Sequence, residues 1–154
     1  MLAVLRTTRR SLIKRCFATS APPHGGELKN LMIESDAEKE SVAKKVNHTV
    51  ELNDRQSCDV ELLINGGFSP LTGPMNRDTY ESVVDNMRLP ESNLLFGLPV
   101  VFDTNDDSIQ PGDSVLMTYN GKNIAVLDVE DKFEPNKPKE VLECYGTRIA
   151  KHKR

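Results

Sequence analysis

The hydrophobic pattern of this chain changes period at Pro90. Ahead of it, Tyr80, Val83, Val84 and Met87 recur at helical spacing behind Asn76, whose side chain is placed to cap Thr79. Beyond it, short runs rich in β-branched residues take over, and Leu98–Phe102, Ser114–Tyr119 and Asn123–Val129 read as strands. Asn120-Gly121 is the strongest hairpin signal, and Pro111-Gly112-Asp113 marks a second turn. A chain of 154 residues is about one domain. The expectation is an α+β fold with its helices first, followed by a small mixed, β-barrel-like sheet.

The earlier elements carry their own punctuation. Residues 21–33 open the body as an extended segment, because Pro22-Pro23 excludes helix and Gly25-Gly26 breaks any repeat. Ser35 to Lys45 is helical by propensity, with a possible capping box at Ser35 and Glu38 and only a thin apolar stripe. Its many charges read as a solvated face. His48–Leu52 alternates like a short strand. Asn53 and Gln56 form a second capping box, opening a helix that runs to Ile64 and ends at Asn65-Gly66. On that helix Cys58, Leu62 and Leu63, flanked by Val60 and Ile64, are expected to face the core.

Charge divides the chain. The net value of −3 conceals a leader, residues 1–20, with Arg6, Arg9, Arg10, Lys14 and Arg15 and no acidic residue. Residues 21–154 are left with 15 basic against 23 acidic side chains. An Arg-rich, hydroxyl-bearing, acid-free leader with Leu2, Leu5, Leu12 and Ile13 reads as an organelle transit peptide, for a mitochondrion or alternatively a plastid. Its apolar stretch is too short for a secretory signal. A basic arm for nucleic acid is the bland alternative. No apolar run approaches the roughly 18 residues of a membrane helix.

Cleavage near Phe17–Ser20 would remove Cys16 and leave Cys58, expected on a helix, and Cys144, expected near a strand end. Neither belongs to a CxxC pair or lies beside a histidine, so both are expected to be buried small hydrophobes rather than ligands or disulfide partners.

The order of several motifs carries a resemblance. Pro23-His24-Gly25-Gly26 precedes Leu28 and Asn30, and Gln56–Tyr80 contains Asn65-Gly66-Gly67-Phe68-Ser69-Pro70. Then come Leu98-Pro99-Val100, the run Leu127–Lys137, and Glu140 ahead of Tyr145-Gly146-Thr147. From Pro23 to Thr147 the chain resembles the N-terminal, PUA-like domain of ATP sulfurylase (sulfate adenylyltransferase). Two departures stand out. Pro74 lies between Gly73 and Met75, where that family carries Phe after the glycine. After Thr147 the family continues through an acidic-His-Pro segment, whereas this chain has Arg148-Ile-Ala-Lys-His-Lys-Arg154, with Lys153 following His152. Residues 148–154 therefore read as a basic tail outside the family pattern, suggesting a truncated transcript or gene model.

The resemblance implies a division into residues 1–20 as transit peptide, 21–147 as PUA-like domain and 148–154 as tail. The family joins sulfate to the α-phosphate of MgATP, yielding adenosine 5′-phosphosulfate and pyrophosphate, and so needs cationic and backbone donors around a crowded anionic centre. It supplies them from Gln-x-Arg-Asn and His-x-x-His motifs in a later catalytic domain. Neither of the glutamines, Gln56 and Gln110, starts the first motif, and His24, His48 and His152 are too dispersed for the second. Phosphate-cradling GxxxxGK[ST] and GxGxxG patterns are also missing. Asn65-Gly66-Gly67 with Ser69 and Thr72 is the best loop for an anion, though it reads better as a chain reversal. His24 reads as a loop or interdomain packing residue.

No residue is assigned a catalytic, cofactor-binding or metal-binding role, and MgATP is expected on the catalytic domain rather than here. Expected partners are that domain or full-length ATP sulfurylase subunits, with homo-oligomerisation through an uncovered apolar face as a further expectation. PUA-like folds often bind RNA, but a body with more acidic than basic residues and few aromatics argues against nucleic acid.

Overall fold

The computed structural model describes residues 21–146. Four helices, α1 (Asp36–Ala43), α2 (Asp54–Ile64), α3 (Arg77–Asn86) and α4 (Lys137–Tyr145), accompany three strands, β1 (His48–Glu51), β2 (Ser114–Tyr119) and β3 (Lys122–Asp128). The α+β class and the early-helix order hold. The leader assigned to 1–20 and the tail assigned to 148–154, with Cys16 and His152, lie outside the described residues.

The sheet is mixed, in the order β1-β2-β3, with β1 parallel and β3 antiparallel to β2. It is open rather than the barrel-like sheet expected, because Leu98–Phe102 does not join it. Pro99 lacks an amide donor and Leu98 is exposed, so the segment has little to contribute to a ladder. It serves as a bridge between two cores. Val100 is buried and its carbonyl accepts the Met75 amide at 2.8 Å. Val101 packs on a cluster of Met75, Tyr80, Val83, Val84 and Leu89, and Phe102 on a cluster of Leu52, Val60 and Met117.

The two expected capping boxes part company. Asn53 Oδ1 accepts the Gln56 amide at 2.9 Å while Gln56 Oε1 accepts the Asn53 amide at 3.1 Å, so α2 begins with both bonds of the box. Ser35 is extended, as an N-cap should be, yet makes no side-chain cap bond, and α1 buries no residue. Without a core beneath it, nothing fixes the Ser35 rotamer. The buried face of α2 is also turned from the one expected: Gln56, Ser57, Val60 and Leu63 are buried, whereas Cys58 and Leu62 are exposed. Cys58 is therefore not a core residue.

Asn76 caps α3 through the Thr79 amide, and Tyr80, Val83 and Val84 fill the core. Met87 breaks the stripe. It closes the helix in the left-handed region at φ 53° with an exposed side chain, so the helix stops three residues before Pro90. Asn120 and Gly121 both take positive φ and form the β2–β3 turn, as a hairpin of that composition requires. The helix α4 is an element that period alone does not reveal. Asn136 caps it, Pro138 lies in its first turn and Gly146 ends it at φ 64°. Cys144 consequently lies on a helix, half-buried against the α3 core, and not at a strand end.

Candidate functional site

Residues 23–31 lie as a strap across the turn that joins α2 to α3. Their tight fit explains the glycines. At Gly66, φ is +82° and an added Cβ would come within 2.9 Å of Leu28 and of the Lys29 carbonyl oxygen. The buried Ser69 hydroxyl joins the two segments, accepting the Lys29 amide at 2.9 Å and donating to the Gly66 carbonyl at 2.6 Å. The Leu31 amide reaches the Ile64 carbonyl at 2.8 Å. At the far end His24 Nε2 donates to the Leu95 carbonyl at 2.7 Å, its ring tilted against Phe96.

These bonds settle what the loop Asn65–Thr72 does. The Gly67 amide is taken by Asn65 Oδ1, and the Ser69 amide and hydroxyl both by the Gly66 carbonyl, while the Ser69 oxygen accepts from the strap. Few donors remain to hold an anion, and the turn acts as the strap's seat. His24 is likewise engaged within this domain, through the Leu95 carbonyl and the Phe96 ring.

Elsewhere the candidate residues stay apart. His48 opens β1, with Nε2 3.2 Å from Asp113 Oδ2. Asp113 also accepts from the Gln110 amide and from Asn47 Nδ2, so it ties the start of β1 to the turn before β2. The Gln110 amide, then the Asn47 amide and His48, hold the Asp113 carboxyl below the usual range against a smaller opposing effect of desolvation. Gln56 Nε2 is spent on Asp103. Among the described residues no group of three or more His, Cys, Asp and Glu side chains is placed to hold a metal ion.

A polar cluster that sequence reasoning missed lies between α3 and α4. Tyr80 donates its phenol proton to Glu140 Oε2 at 2.8 Å, and Lys137 approaches the same oxygen at 3.4 Å. Lys139 pairs with Asp85 across the two helices. Burial first, then the Glu140 carboxylate, push the Tyr80 phenol above its ordinary range. Burial likewise raises the Cys144 thiol, with Glu140 and Glu143 adding to the effect, so it is a poor nucleophile. Arg77 stands 5.4 Å over the Phe133 ring. The signal available in sequence was Asn136-Lys-Pro ahead of Glu140, a helix start that would have placed Glu140 one turn in. The cluster joins helices; it does not converge on a substrate-sized space.

Among the described residues an open groove of about 1420 Å³ lies between residues 70–77, the 101–110 loop and residues 126–135, and a smaller one of about 220 Å³ lies beside Tyr80, Phe133 and Lys139. Pro74 lies on the wall of the larger groove. Lys132 is tied across the groove floor to the carbonyls of Asp106 and Ile109, both at 3.0 Å.

Comparison with known proteins matches a family described as the PUA-like domain to residues 21–153. Sulfate adenylyltransferase of Coccidioides immitis is 40% identical over 135 residues, covering 81% of this chain and 23% of that protein. The Schizosaccharomyces pombe sulfate adenylyltransferase is 42% identical over 109 residues, 67% of this chain and 22% of its own length. The chain thus spans about a quarter of the length of the curated relatives it matches. Among solved structures, a hexameric APS kinase from Thiobacillus denitrificans superposes with a TM-score of 0.66 at 26% identity, over 75% of this chain and 24% of that one.

Proposed function

This chain belongs to the PUA-like domain family, in the form found in sulfate adenylyltransferases, and from that premise we propose that it is a supporting domain for sulfate activation. In this reading it packs against a catalytic portion that joins sulfate to the α-phosphate of MgATP, and contributes no catalytic residue of its own. MgATP would bind that portion. One observation carries the reading: similarity runs through most of this chain but accounts for only 23% of the relatives' length. The internal use of the candidate donors supports it, since the Asn65–Thr72 loop, Gln56 and His24 are committed to holding the fold together.

The catalytic portion could lie in the same polypeptide or in a full-length subunit with which this chain pairs. The excess of acidic groups in residues 21–154 supports a protein partner over nucleic acid. The leader supports import into a mitochondrion, or alternatively a plastid, as its destination. Mixing the purified chain with the separately produced catalytic portion of a fungal sulfate adenylyltransferase tests the proposal. Association and a higher melting temperature of that portion are expected, with adenosine 5′-phosphosulfate formed only when it is present. Turnover by this chain alone, or failure of the two to associate, would count against the reading.

A further inference from the structure

The larger groove has an apolar wall and an acidic rim. Leu71, Val101, Phe102, Leu127 and Phe133 line it half-buried. Its charged lining is seven acidic against four basic side chains, and the basic ones are engaged. Arg55 and Lys137 pair with Asp59 and Glu140, Arg77 stands over Phe133, and Lys132 donates to two carbonyls. Glu91, Asp107, Glu130 and Glu134 have no cationic partner among the described residues. At about 1420 Å³ the space exceeds the roughly 300–1,000 Å³ of a small-molecule pocket, and its open side suits a length of chain.

The described chain enters beside this groove. An added Cβ at Gly25 would lie 3.0 Å from Pro70 Cβ and 3.4 Å from Leu94 Cδ1, and His24 is bonded to the Leu95 carbonyl. Pro70 and the Pro90–Ser92 turn are part of the groove wall. Ala21, where the leader joins, is four residues upstream of Gly25 and so within about 14 Å of it.

The leader has the complementary chemistry, with five basic side chains and no acidic one in residues 1–20. Wound as a helix, residues 2–15 set Leu2, Leu5, Leu12 and Ile13 within an arc of about 100°, Arg9 being the one cation inside it. Arg6, Arg10 and Lys14 fall to one side of that arc and Arg15 to the other. We propose that the leader folds back as an amphipathic helix into the groove of its own domain, with its leucine face on the wall and its cations along the rim. An apolar helix face laid into an apolar groove is a common mode of recognition, and here the rim charges add to it. The helix is about 21 Å long and residues 16–24 can extend to about 30 Å, enough for the chain to return along the groove. The basic tail is a poorer occupant. It leaves α4 about 13 Å from Lys137, and Ile149 and Ala150 are the only apolar residues in 148–154. Cleavage near Phe17–Ser20 would then free the groove. The inference holds whether or not the chain supports a catalytic portion.

Methyl NMR on the full chain tests it. Nuclear Overhauser contacts from Leu5, Leu12 and Ile13 to Leu127 and the Phe133 ring are expected, with intensities independent of protein concentration. They should fade as salt is raised to about 1 M, where screening acts within about 3 Å. Glu130→Lys with Glu134→Lys reverses two rim charges and should lower the docked-to-free ratio about tenfold, and adding Arg10→Glu with Lys14→Glu should restore most of it. The Val83 and Val84 methyls, inside the α3 core, report whether each variant keeps its fold. Absence of leader-to-groove contacts in the unaltered chain would overturn the proposal. So would contacts that grow with concentration and therefore come from a second copy, contacts made by Ile149 in place of the leader, or leader contacts indifferent to salt and to both charge exchanges.

Discussion

The helical half and the sheet half of this domain are finished to different degrees. The α3 core is closed: Val83 is fully buried, and Tyr80, Val84 and Met75 surround it while α4 covers the outer side. The sheet is covered on fewer sides. Val115 and Met117 of β2 are buried, but every residue of β3 is half-exposed or exposed, and α1 buries nothing at all. The lesson is about where stability resides. One half closes on its own packing, and the other leaves its outer strand largely uncovered among the described residues.

The largest test of this contrast is Tyr80→Ala, which removes a buried ring and its bond to Glu140 together. Urea unfolding should show a loss of about 4 kcal/mol, against about 1 kcal/mol for Tyr80→Phe, which deletes only the hydroxyl. Val126→Ala on β3 should cost about 1 kcal/mol or less. Equal costs at Tyr80 and Val126 would erase the difference between the halves.

Gly66→Ala comes next. It forces a side chain into the left-handed region and against Leu28 and the Lys29 carbonyl, and should cost about 2–3 kcal/mol in thermal or urea unfolding. The strap should also loosen, seen as faster exchange of the Lys29 and Leu31 amides. Retained stability would mean that the strap contributes little.

The capping pair sharpens the comparison at smaller scale. Asn53→Ala should destabilise by about 1 kcal/mol, and Ser35→Ala should change stability by less than about 0.5 kcal/mol. The same four-residue signal was legible in both places, and its outcome depended on what lay beneath. Asn53 stands over buried Gln56, Ser57 and Val60, whereas Ser35 precedes a helix without a buried residue.

That dependence on long-range contacts explains most of what the sequence left hidden. Local chemistry made the Asn120-Gly121 turn, the Asn76 cap and the Gly66 terminus legible. The phase of α2 was not, because the strap and Phe102 decide which face is covered, and neither adjoins α2 in sequence. Leu98–Phe102 has strand composition, but its neighbours are the two clusters rather than a ladder. The helix α4 is short and its apolar residues are few, so its caps were the better signal. Of the candidate site residues, His24 could be read as a loop residue from its neighbours in sequence, whereas Tyr80 with Glu140 required knowing that α3 and α4 meet across 60 residues.

The smallest effects are those of pH. The Asp113 carboxyl is held below the range of an unfolded aspartate, so its contribution is complete above roughly pH 4 and fades as pH falls through the folded value. Asp113→Asn should flatten that acid limb and loosen the start of β1. For Tyr80 the sign is opposite: the raised phenol contributes fully below about pH 10, and that contribution is lost as pH climbs through the folded value. Tyr80→Phe should remove the alkaline limb.

Native-state hydrogen exchange on the full chain, at a concentration where light scattering reads one copy, tests the contrast most directly. The account predicts that amides of α2 and α3 such as Val60, Leu63 and Val83 exchange only through global unfolding, while those of Ile124 and Val126 and of α1 exchange through local opening at far lower protection. Uniform protection across both halves of the monomer would contradict it.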